Sequence, residues 1–268
     1  MMMLKKLYLG AILFFMYAPI FLLVVFSFNS SASRNSWGGF TLQWYIRLLQ
    51  DPSIMRALRN TLIIAVFSTI ISVIIGTMAA LSVEKLSKRK RRAIMSVSKL
   101  PVMMPDIVTG LTLMILFLFV FRSVGFGRLG LGTLLLAHVI FNVPYVILSV
   151  LPKLRQLDPN LYEAALDLGS GPLRAFVHVI LPEIWPGIIT GAMLAFTLSV
   201  DDFMVSFFTT SPAAQNLSIL IFSMTRRGVD PRINALSTLT FVVIMVMLFL
   251  INKRDKHLIR RQKEEENN

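Results

Sequence analysis

The hydrophobic positions of this chain are gathered in long uncharged runs, and most charged positions stand in short blocks between them. A helix of about 20 apolar residues crosses a bilayer core about 30 Å thick. The pattern therefore predicts an all-α integral membrane protein with six transmembrane helices. The predicted spans are Leu7–Phe28, Thr61–Val83, Leu100–Phe121, Leu129–Leu151, Ile184–Val200 and Ile233–Asn252.

The first run follows Lys5 and Lys6, as the apolar region of a secretory signal peptide would. Such a region is only about 7–15 residues long, and Leu7–Phe28 is longer, so we interpret it as an uncleaved span. A further uncharged run, Phe203–Met224, contains the polar, proline-bearing segment Thr209–Asn216. That segment is poorly suited to contact with lipid, so Phe203–Met224 is not counted as a seventh span.

The distribution of Lys and Arg supports six spans. With this count, 17 of the 27 Lys and Arg residues fall on the side that holds both termini. Cytoplasmic loops carry the excess of Lys and Arg, so both termini are predicted to be cytoplasmic. The predicted organisation is an N-terminal span with its external loop (1–57), a transmembrane domain (58–252) and a cytoplasmic tail (253–268).

The net charge of +13 would suggest nucleic-acid binding in a soluble protein, but here the charges flank apolar runs. The block Lys85–Arg92 is therefore interpreted as a topological anchor that also contacts anionic membrane lipids. The chain has no Cys, and His138, His178 and His257 lie far apart. We expect neither a metal site nor a cofactor.

The longest cytoplasmic loop, residues 153–183, predicts two short helices. The first, Leu161–Leu168, is amphipathic and ends before Gly169; the second, Leu173–Leu181, is expected to stop at Pro182. From the residues alone, these helices either lie on the membrane surface or dock a cytoplasmic partner.

A motif within this loop resembles the EAA loop of type I ABC importer permeases, E-A-A-x3-G-x9-I-x-L-P. Its matching residues are Glu163, Ala164, Ala165, Gly169, Leu181 and Pro182, with Val179 in place of the usual isoleucine. The resemblance implies that the first short helix is a coupling helix seated in a groove of an ATPase subunit. Because the chain lacks a phosphate-binding P-loop, we expect ATP hydrolysis on a partner subunit and no enzymatic activity here.

Three acids are predicted at or near membrane depth, where an ionisable group suggests function. They are Asp106, Asp201 and Asp202, and Phe203 follows the last two. One interpretation is a pathway for cations, with aromatic rings adding cation–π contacts. The alternative for Asp201 is a helix cap or a hydrogen-bonded structural acid.

Two further pairs of residues favour helix packing. His138 and Asn142, one helical turn apart, are expected to form interhelical hydrogen bonds rather than a proton relay. Gly187 and Gly191 form a G-x-x-x-G step that allows close approach of another helix.

Four segments extend the resemblance to spermidine/putrescine permeases of the PotC type. They are Phe28–Tyr45, Pro105–Val108, Leu198–Thr209 and Phe222–Thr238. This resemblance implies a polyamine pathway in the cytoplasmic membrane of a prokaryote. It also implies a second permease subunit forming a heterodimer, two ATP-binding subunits and an extracytoplasmic polyamine-binding protein.

Three alternatives remain at this point. An ion-coupled secondary transporter would use Asp106, Asp201 and Asp202 as relay groups. An intramembrane aspartyl protease would need two opposed aspartates, but the chain has no G-x-G-D motif. An ABC importer permease for another small substrate would keep the coupling loop and differ in the pathway.

Overall fold

The computed structural model describes residues 2–31, 36–158, 160–227, 230–243 and 245–246. Within these ranges the regular structure is helical, and strand pairing is limited to an isolated bridge between Asn29 and Phe40. The chain forms two compact units. Unit 1 comprises Met1–Arg56 and Leu220–Asn268, and unit 2 comprises Ala57–Ile219.

The helices are numbered in chain order. They are α1 Met2–Phe26, α2 Gln43–Gln50, α3 Pro52–Glu84, α4 Lys88–Met103, α5 Asp106–Val124, α6 Leu131–Leu154, α7 Leu161–Asp167, α8 Pro172–Ala175, α9 Leu181–Asp201, α10 Met204–Thr209 and α11 Leu217–Arg227. A π-helical turn, Phe176–Ile180, joins α8 to α9, and a 3₁₀ turn, Pro212–Ala214, lies between α10 and α11. Residues 231–243 form α12.

Five helical segments in the described part of the chain are long and apolar enough to cross a membrane. They are Lys6–Phe26, Pro52–Glu84, Asp106–Val124, Leu131–Leu154 and Pro172–Asp201. The predicted class, an all-α membrane protein, is confirmed. The predicted sixth span, Ile233–Asn252, extends beyond the described residues, so the count of six and the orientation of the termini stay predictions.

The predicted third span, Leu100–Phe121, begins too early. Helix α4 ends at Met103, and α5 starts afresh at Asp106. Met104 between them is extended (φ −81°, ψ 147°), since the ring of Pro105 disfavours helical geometry in the residue before it. Leu100 therefore belongs to α4, and the spanning helix runs over Asp106–Val124.

The prediction that Pro182 stops the second loop helix is wrong. Helical structure runs through it, from Pro172 to Asp201. The N–H of Leu181 donates to the carbonyl of Phe176, five residues back, which is the wider spacing of a π turn. Because that turn is wide and Pro182 lies in the first turn of α9, the proline is accommodated there without ending the helix.

Helix α6 lies at the centre of unit 2, where its side chains pack against α3 and α9. Buried residues from the three helices form one cluster, which includes Ala80, Val146, Val150, Ile184 and Ile188. A Cβ atom at Gly187 would come within 2.9 Å of the Ser149 carbonyl, and one at Gly191 within 3.2 Å of Val146 Cα. The predicted close helix packing at these glycines is therefore confirmed, with α6 as the partner.

In unit 1, polar contacts fix the loop after α1 and the start of α3. Trp44 Nε1 donates to the carbonyl of Asn29 at 2.6 Å. Asp51 Oδ1 accepts the N–H of Ser53 at 2.8 Å in the first turn of α3, and Asp51 Oδ2 pairs with Arg232 Nη1 at 2.8 Å. Arg232 also pairs with Asp230 at 2.6 Å, so one guanidinium joins two carboxylates.

The pKa of Asp230 reflects two opposing effects. Partial burial raises the pKa of its carboxyl, but hydrogen bonds from Arg232 and the charge of that residue outweigh burial and lower the pKa below its ordinary value. The Asp230 carboxylate is thus stabilised in its charged form by folding.

Candidate functional site

Helix α7 carries the first part of the EAA-like motif and divides it between two faces. Glu163 and Ala164 are exposed, whereas Ala165 is buried. Leu161 and Tyr162 pack against the buried cluster of α3, α6 and α9. The small buried side chain of Ala165 lets α7 lie close to the protein while Glu163 remains accessible to a partner.

The chain leaves α7 through a Schellman turn. The N–H of Ser170 donates to the carbonyl of Ala165 at 3.1 Å, and the N–H of Gly169 donates to that of Leu166 at 2.9 Å. Gly169 adopts φ +83°, a conformation that glycine reaches without strain, as this turn requires. On either side of the turn, Leu168 is 88% exposed and Leu173 is 77% exposed, so two large apolar side chains are accessible there.

An acidic residue at the end of α3 connects this segment to its neighbours. Glu84 pairs with Arg91 of α4 and, at 3.1 Å, with Arg155 just after α6. A cavity of about 620 Å³ lies at these helix ends, and Glu84, Tyr162 and Glu163 are among its lining residues. The ends of α3 and α6 therefore line one cavity together with α7.

The last two motif residues lie at the start of α9 rather than on α7. Leu181 is half-buried against the shared hydrophobic cluster, and Pro182 is exposed in the first helical turn. The motif thus spans two elements. One is α7, which has exposed side chains, and the other is the first turn of α9, whose helical segment is long and apolar enough to span a membrane.

The carboxylate of Asp202 caps α10. Its Oδ1 accepts the N–H of Val205 at 3.2 Å, and its Oδ2 accepts the N–H of Ser206 at 2.7 Å and the Ser206 hydroxyl at 2.8 Å. Only 5% of the Asp202 side chain is exposed. Three protein donors therefore surround this acid, which favours a structural role for it.

Two further side chains complete a buried polar cluster around Ser206. Asn216 Nδ2 donates to Ser206 Oγ at 2.7 Å, and His138 Nε2 lies 3.0 Å from the same oxygen. Since the Ser206 hydroxyl proton points to Asp202, Ser206 must accept from both neighbours, which places a proton on His138 Nε2. The cluster joins α6 to the broken segment between α9 and α11.

Asn142 makes a second interhelical contact one turn along α6. Its Nδ2 donates to Ser199 Oγ at 2.8 Å, and Ser199 Oγ lies 3.0 Å from Ser68 Oγ. Helices α3, α6 and α9 are linked in this way. The predicted interhelical hydrogen bonds of His138 and Asn142 are confirmed.

The other two predicted pathway acids are exposed at helix ends. Asp201 is the last residue of α9, and Asp106 is the first residue of α5. One turn after Asp106, a Cβ atom at Gly110 would come within 3.0 Å of the Met204 carbonyl, so α5 lies close against α10 there. The start of α5 is thus brought to the junction of α9 and α10.

Phe203 lies at the same junction, partly buried, with its ring centroid 5.5 Å from that of Phe207. This aromatic pair therefore follows Asp201, whose carboxylate is exposed, by two and six residues in the sequence. The structure brings Asp106, Asp201 and Phe203 to one region and gives Asp202 internal partners.

Ser206 and Asn216 are site residues that the sequence analysis missed. Ser206 follows Asp202 by four residues, the spacing at which two side chains share a helical face, so a local signal existed. Asn216 offers no such signal, because its contact with Ser206 depends on the chain folding back between α10 and α11.

With this geometry in place, comparison with known proteins identifies the family. The model of the family described as binding-protein-dependent transport system inner membrane component matches residues 72–263. The chain belongs to this family. It is therefore an inner-membrane transport component, and the matched residues include α7, Asp106 and the α9–α10 junction.

Curated relatives of this transport component extend the match over most of its length. The putrescine transport system permease protein PotI of Escherichia coli (strain K12) is 39% identical over 252 residues, covering 92% of this chain and 90% of the relative. The spermidine/putrescine transport system permease protein PotC of the same strain is 36% identical over 241 residues, covering 90% and 89%.

Solved structures show the same fold. A chain of a bacterial ABC transporter involved in import of the acidic polysaccharide alginate aligns with a TM-score of 0.74 at 19% identity, covering 95% of both chains. A chain of an amino acid ABC transporter crystallised with histidines aligns with a TM-score of 0.58 at 18% identity, covering 81% of this chain and all of that one. At these identities the likeness concerns the fold alone.

Proposed function

We propose that this transport component is the permease subunit of an ATP-binding-cassette importer and forms part of a pathway for spermidine or putrescine. The observation that carries the proposal is its similarity, over about nine-tenths of its length, to permeases named for these polyamines. The exposed carboxylates of Asp106 and Asp201 add the chemistry that polyamines need, since a polyamine is a flexible chain of ammonium charges.

Each pathway residue has a role suited to its position. Asp201 and Asp106 are exposed and can accept hydrogen bonds from a passing ammonium group. Phe203 offers the face of an aromatic ring for a cation–π contact at the same junction. Asp202 has an indirect role. By capping α10, it stabilises the turn that contains Asp201 and Phe203.

ATP drives transport from a separate subunit in this proposal. The partners are a second permease subunit, two ATP-binding subunits and an extracytoplasmic polyamine-binding protein. Helix α7 docks on an ATP-binding subunit through Glu163, Ala164 and the exposed Leu168. The chain is a multi-pass protein of a prokaryotic cytoplasmic membrane, with both termini on the cytoplasmic side.

The test is uptake of labelled putrescine and spermidine by the complete transporter reconstituted in vesicles. Asp201→Asn removes the negative charge at nearly constant size, and Asp201→Glu retains it as the matched control. Loss of one charge-assisted hydrogen bond, worth roughly 1.5–3 kcal/mol, should reduce uptake by about tenfold or more in Asp201→Asn. Asp201→Glu should transport far better than Asp201→Asn.

Each of two outcomes would overturn one part of the proposal. If Asp201→Asn transports polyamines as well as the wild type, Asp201 is not a pathway residue. If wild-type uptake continues without ATP but stops when an ionophore dissipates the proton gradient, the chain belongs to an ion-coupled transporter. ATPase activity and subunit assembly, measured on each sample, separate lost transport from lost folding.

A further inference from the structure

A cavity of about 320 Å³ lies along α4 from Lys88 to Lys99 and reaches Arg155 after the end of α6. Its lining includes five basic side chains: Lys88, Arg91, Arg92 and Lys99 from α4, and Arg155 from the chain after α6. Arg155 also lines the larger cavity beside α7, so the basic cavity lies at the same end of unit 2 as α7.

The positive charge of this cavity is only partly compensated. Glu84 pairs with both Arg91 and Arg155. In the described part of the chain, no acidic side chain lies within salt-bridge distance of Lys88, Arg92 or Lys99, and Glu84 supplies the single negative charge that pairs with the lining. A concave surface with this charge attracts an anion.

The cavity occupies one face of α4. Successive helical residues turn by about 100°, so Lys88, Arg92, Met95 and Lys99 lie on one side. The two other basic residues in the first turn of α4, Arg89 and Lys90, project elsewhere and do not line the cavity. The basic side chains of α4 are therefore concentrated at the cavity and are not spread evenly around the helix.

The same helix passes from basic to apolar exposed side chains. Beyond Lys99, Leu100 is 49% exposed and Met103 is 80% exposed, and on the face away from the cavity Val97 is 66% exposed. Such surfaces face lipid in a membrane protein, whereas basic side chains lie at headgroup level. In a bilayer, this order of side chains along α4 would put the cavity at the depth of the lipid phosphates.

We propose that this cavity binds the phosphate group of an anionic phospholipid, with Arg92 and Lys99 as its unpaired cationic contacts. Arg91 and Arg155, held by Glu84, form the fixed wall on the side of α3 and α6. Phosphate chemistry is also available from free inorganic phosphate, but exposed apolar residues beside the cavity favour the lipid as the source.

The test uses the complete transporter, delipidated in detergent and titrated with dioleoylphosphatidylglycerol while bound lipid is counted by native mass spectrometry. Dioleoylphosphatidylcholine is the neutral probe, and inorganic phosphate is the competing free anion. We expect the wild type to bind the anionic lipid at least tenfold more tightly than the neutral one. Arg92→Gln/Lys99→Gln should abolish that preference.

The matched control is Arg89→Gln/Lys90→Gln, which removes the same charge from the same helix outside the cavity. It should keep the lipid preference. Equal loss in both pairs, or no loss in either, would overturn the proposal, as would displacement of the lipid by millimolar inorganic phosphate. Unchanged lipid binding with loss of ATPase subunits in Arg92→Gln/Lys99→Gln would assign the cavity to a protein partner instead.

Discussion

Asp201 and Asp202 are adjacent and chemically identical, yet folding gives them opposite surroundings. The chain leaves the α9 helix at Asp202, whose carboxylate turns towards the first N–H groups of α10. Asp201 keeps helical geometry as the last residue of α9 and remains exposed. Asp202 is buried against hydrogen-bond donors and therefore has a structural role. Asp201 is exposed, so its carboxylate remains accessible to a cation.

This difference predicts unequal effects of the same substitution on the free energy of unfolding. In Asp202→Asn the amide nitrogen faces a donor, either the N–H of Val205 or the N–H and hydroxyl of Ser206. The free energy of unfolding should fall by about 1–3 kcal/mol, as expected when buried partners are left unsatisfied. Asp201→Asn should leave it nearly unchanged. Thermal unfolding of the purified transporter compares the two, and equal unfolding temperatures would contradict the assignment of Asp202 as the cap.

At the scale of elements, some helix boundaries follow from local residues and others do not. Pro105 interrupts the helix between α4 and α5 because its ring disfavours helical geometry at Met104, so an irregular segment there was predictable. Pro182 does not interrupt the helix, because the preceding π turn accommodates the proline ring. A π turn has no simple sequence signal, and the packing around Ile180 and Ile184 that accompanies it is tertiary.

The turn after α7 supplies a prediction about coupling. A Cβ atom at Gly169 would meet no atom within 4 Å, so substitution acts there through backbone strain alone. Gly169→Val should reduce ATP-driven uptake by roughly tenfold, since the left-handed conformation costs a residue with a Cβ about 1–2 kcal/mol. Gly169→Asn is the control, because asparagine tolerates this conformation.

Uptake and substrate-stimulated ATPase activity should be measured in parallel for both variants. Valine is expected to impair the two activities together while membrane insertion stays normal. If valine and asparagine give equal, wild-type activity, the geometry of this turn is not needed for coupling. Glu163→Lys tests the same element through charge and should weaken retention of the ATP-binding subunit.

The ion pairs of Arg232 link α12 to the start of α3 and predict a pH dependence. The pKa of Asp230 is lower in the folded protein than in the unfolded chain. Its contribution to stability is therefore present above its unfolded pKa of about 4 and is lost as pH falls through the folded pKa. Between pH 6 and 3, thermal stability should fall less steeply in Asp230→Asn than in the wild type. Identical pH profiles would exclude this contribution.

At the scale of the molecule, hydropathy predicted the membrane-spanning helices well because a bilayer demands length and apolarity, both of which are local properties. Gly169 was predictable in the same way, as a turn residue after a short helix. The interhelical hydrogen bonds of His138 and Asn142 were predictable as a class, but their partners were not. Asn142 donates hydrogen bonds to Ser199 and Ser68, which lie 57 and 74 residues away in the sequence. Such partners are determined only when the helices pack.

The orientation of the chain is the last prediction, and it can be tested with single cysteines because the natural sequence contains none. With six spans, the 3₁₀ turn between α10 and α11 faces outward, whereas α7 and the C-terminal tail face the cytoplasm. Ala213→Cys is exposed in that turn and should react with a membrane-impermeant maleimide added to intact cells. Arg89→Cys, exposed in the basic block that is predicted to face the cytoplasm and lies outside α7, should react only after the membrane is opened, as should Asn267→Cys. Labelling of Asn267→Cys in intact cells, with Arg89→Cys protected, would place the tail outside and require an odd number of spans between α4 and the tail.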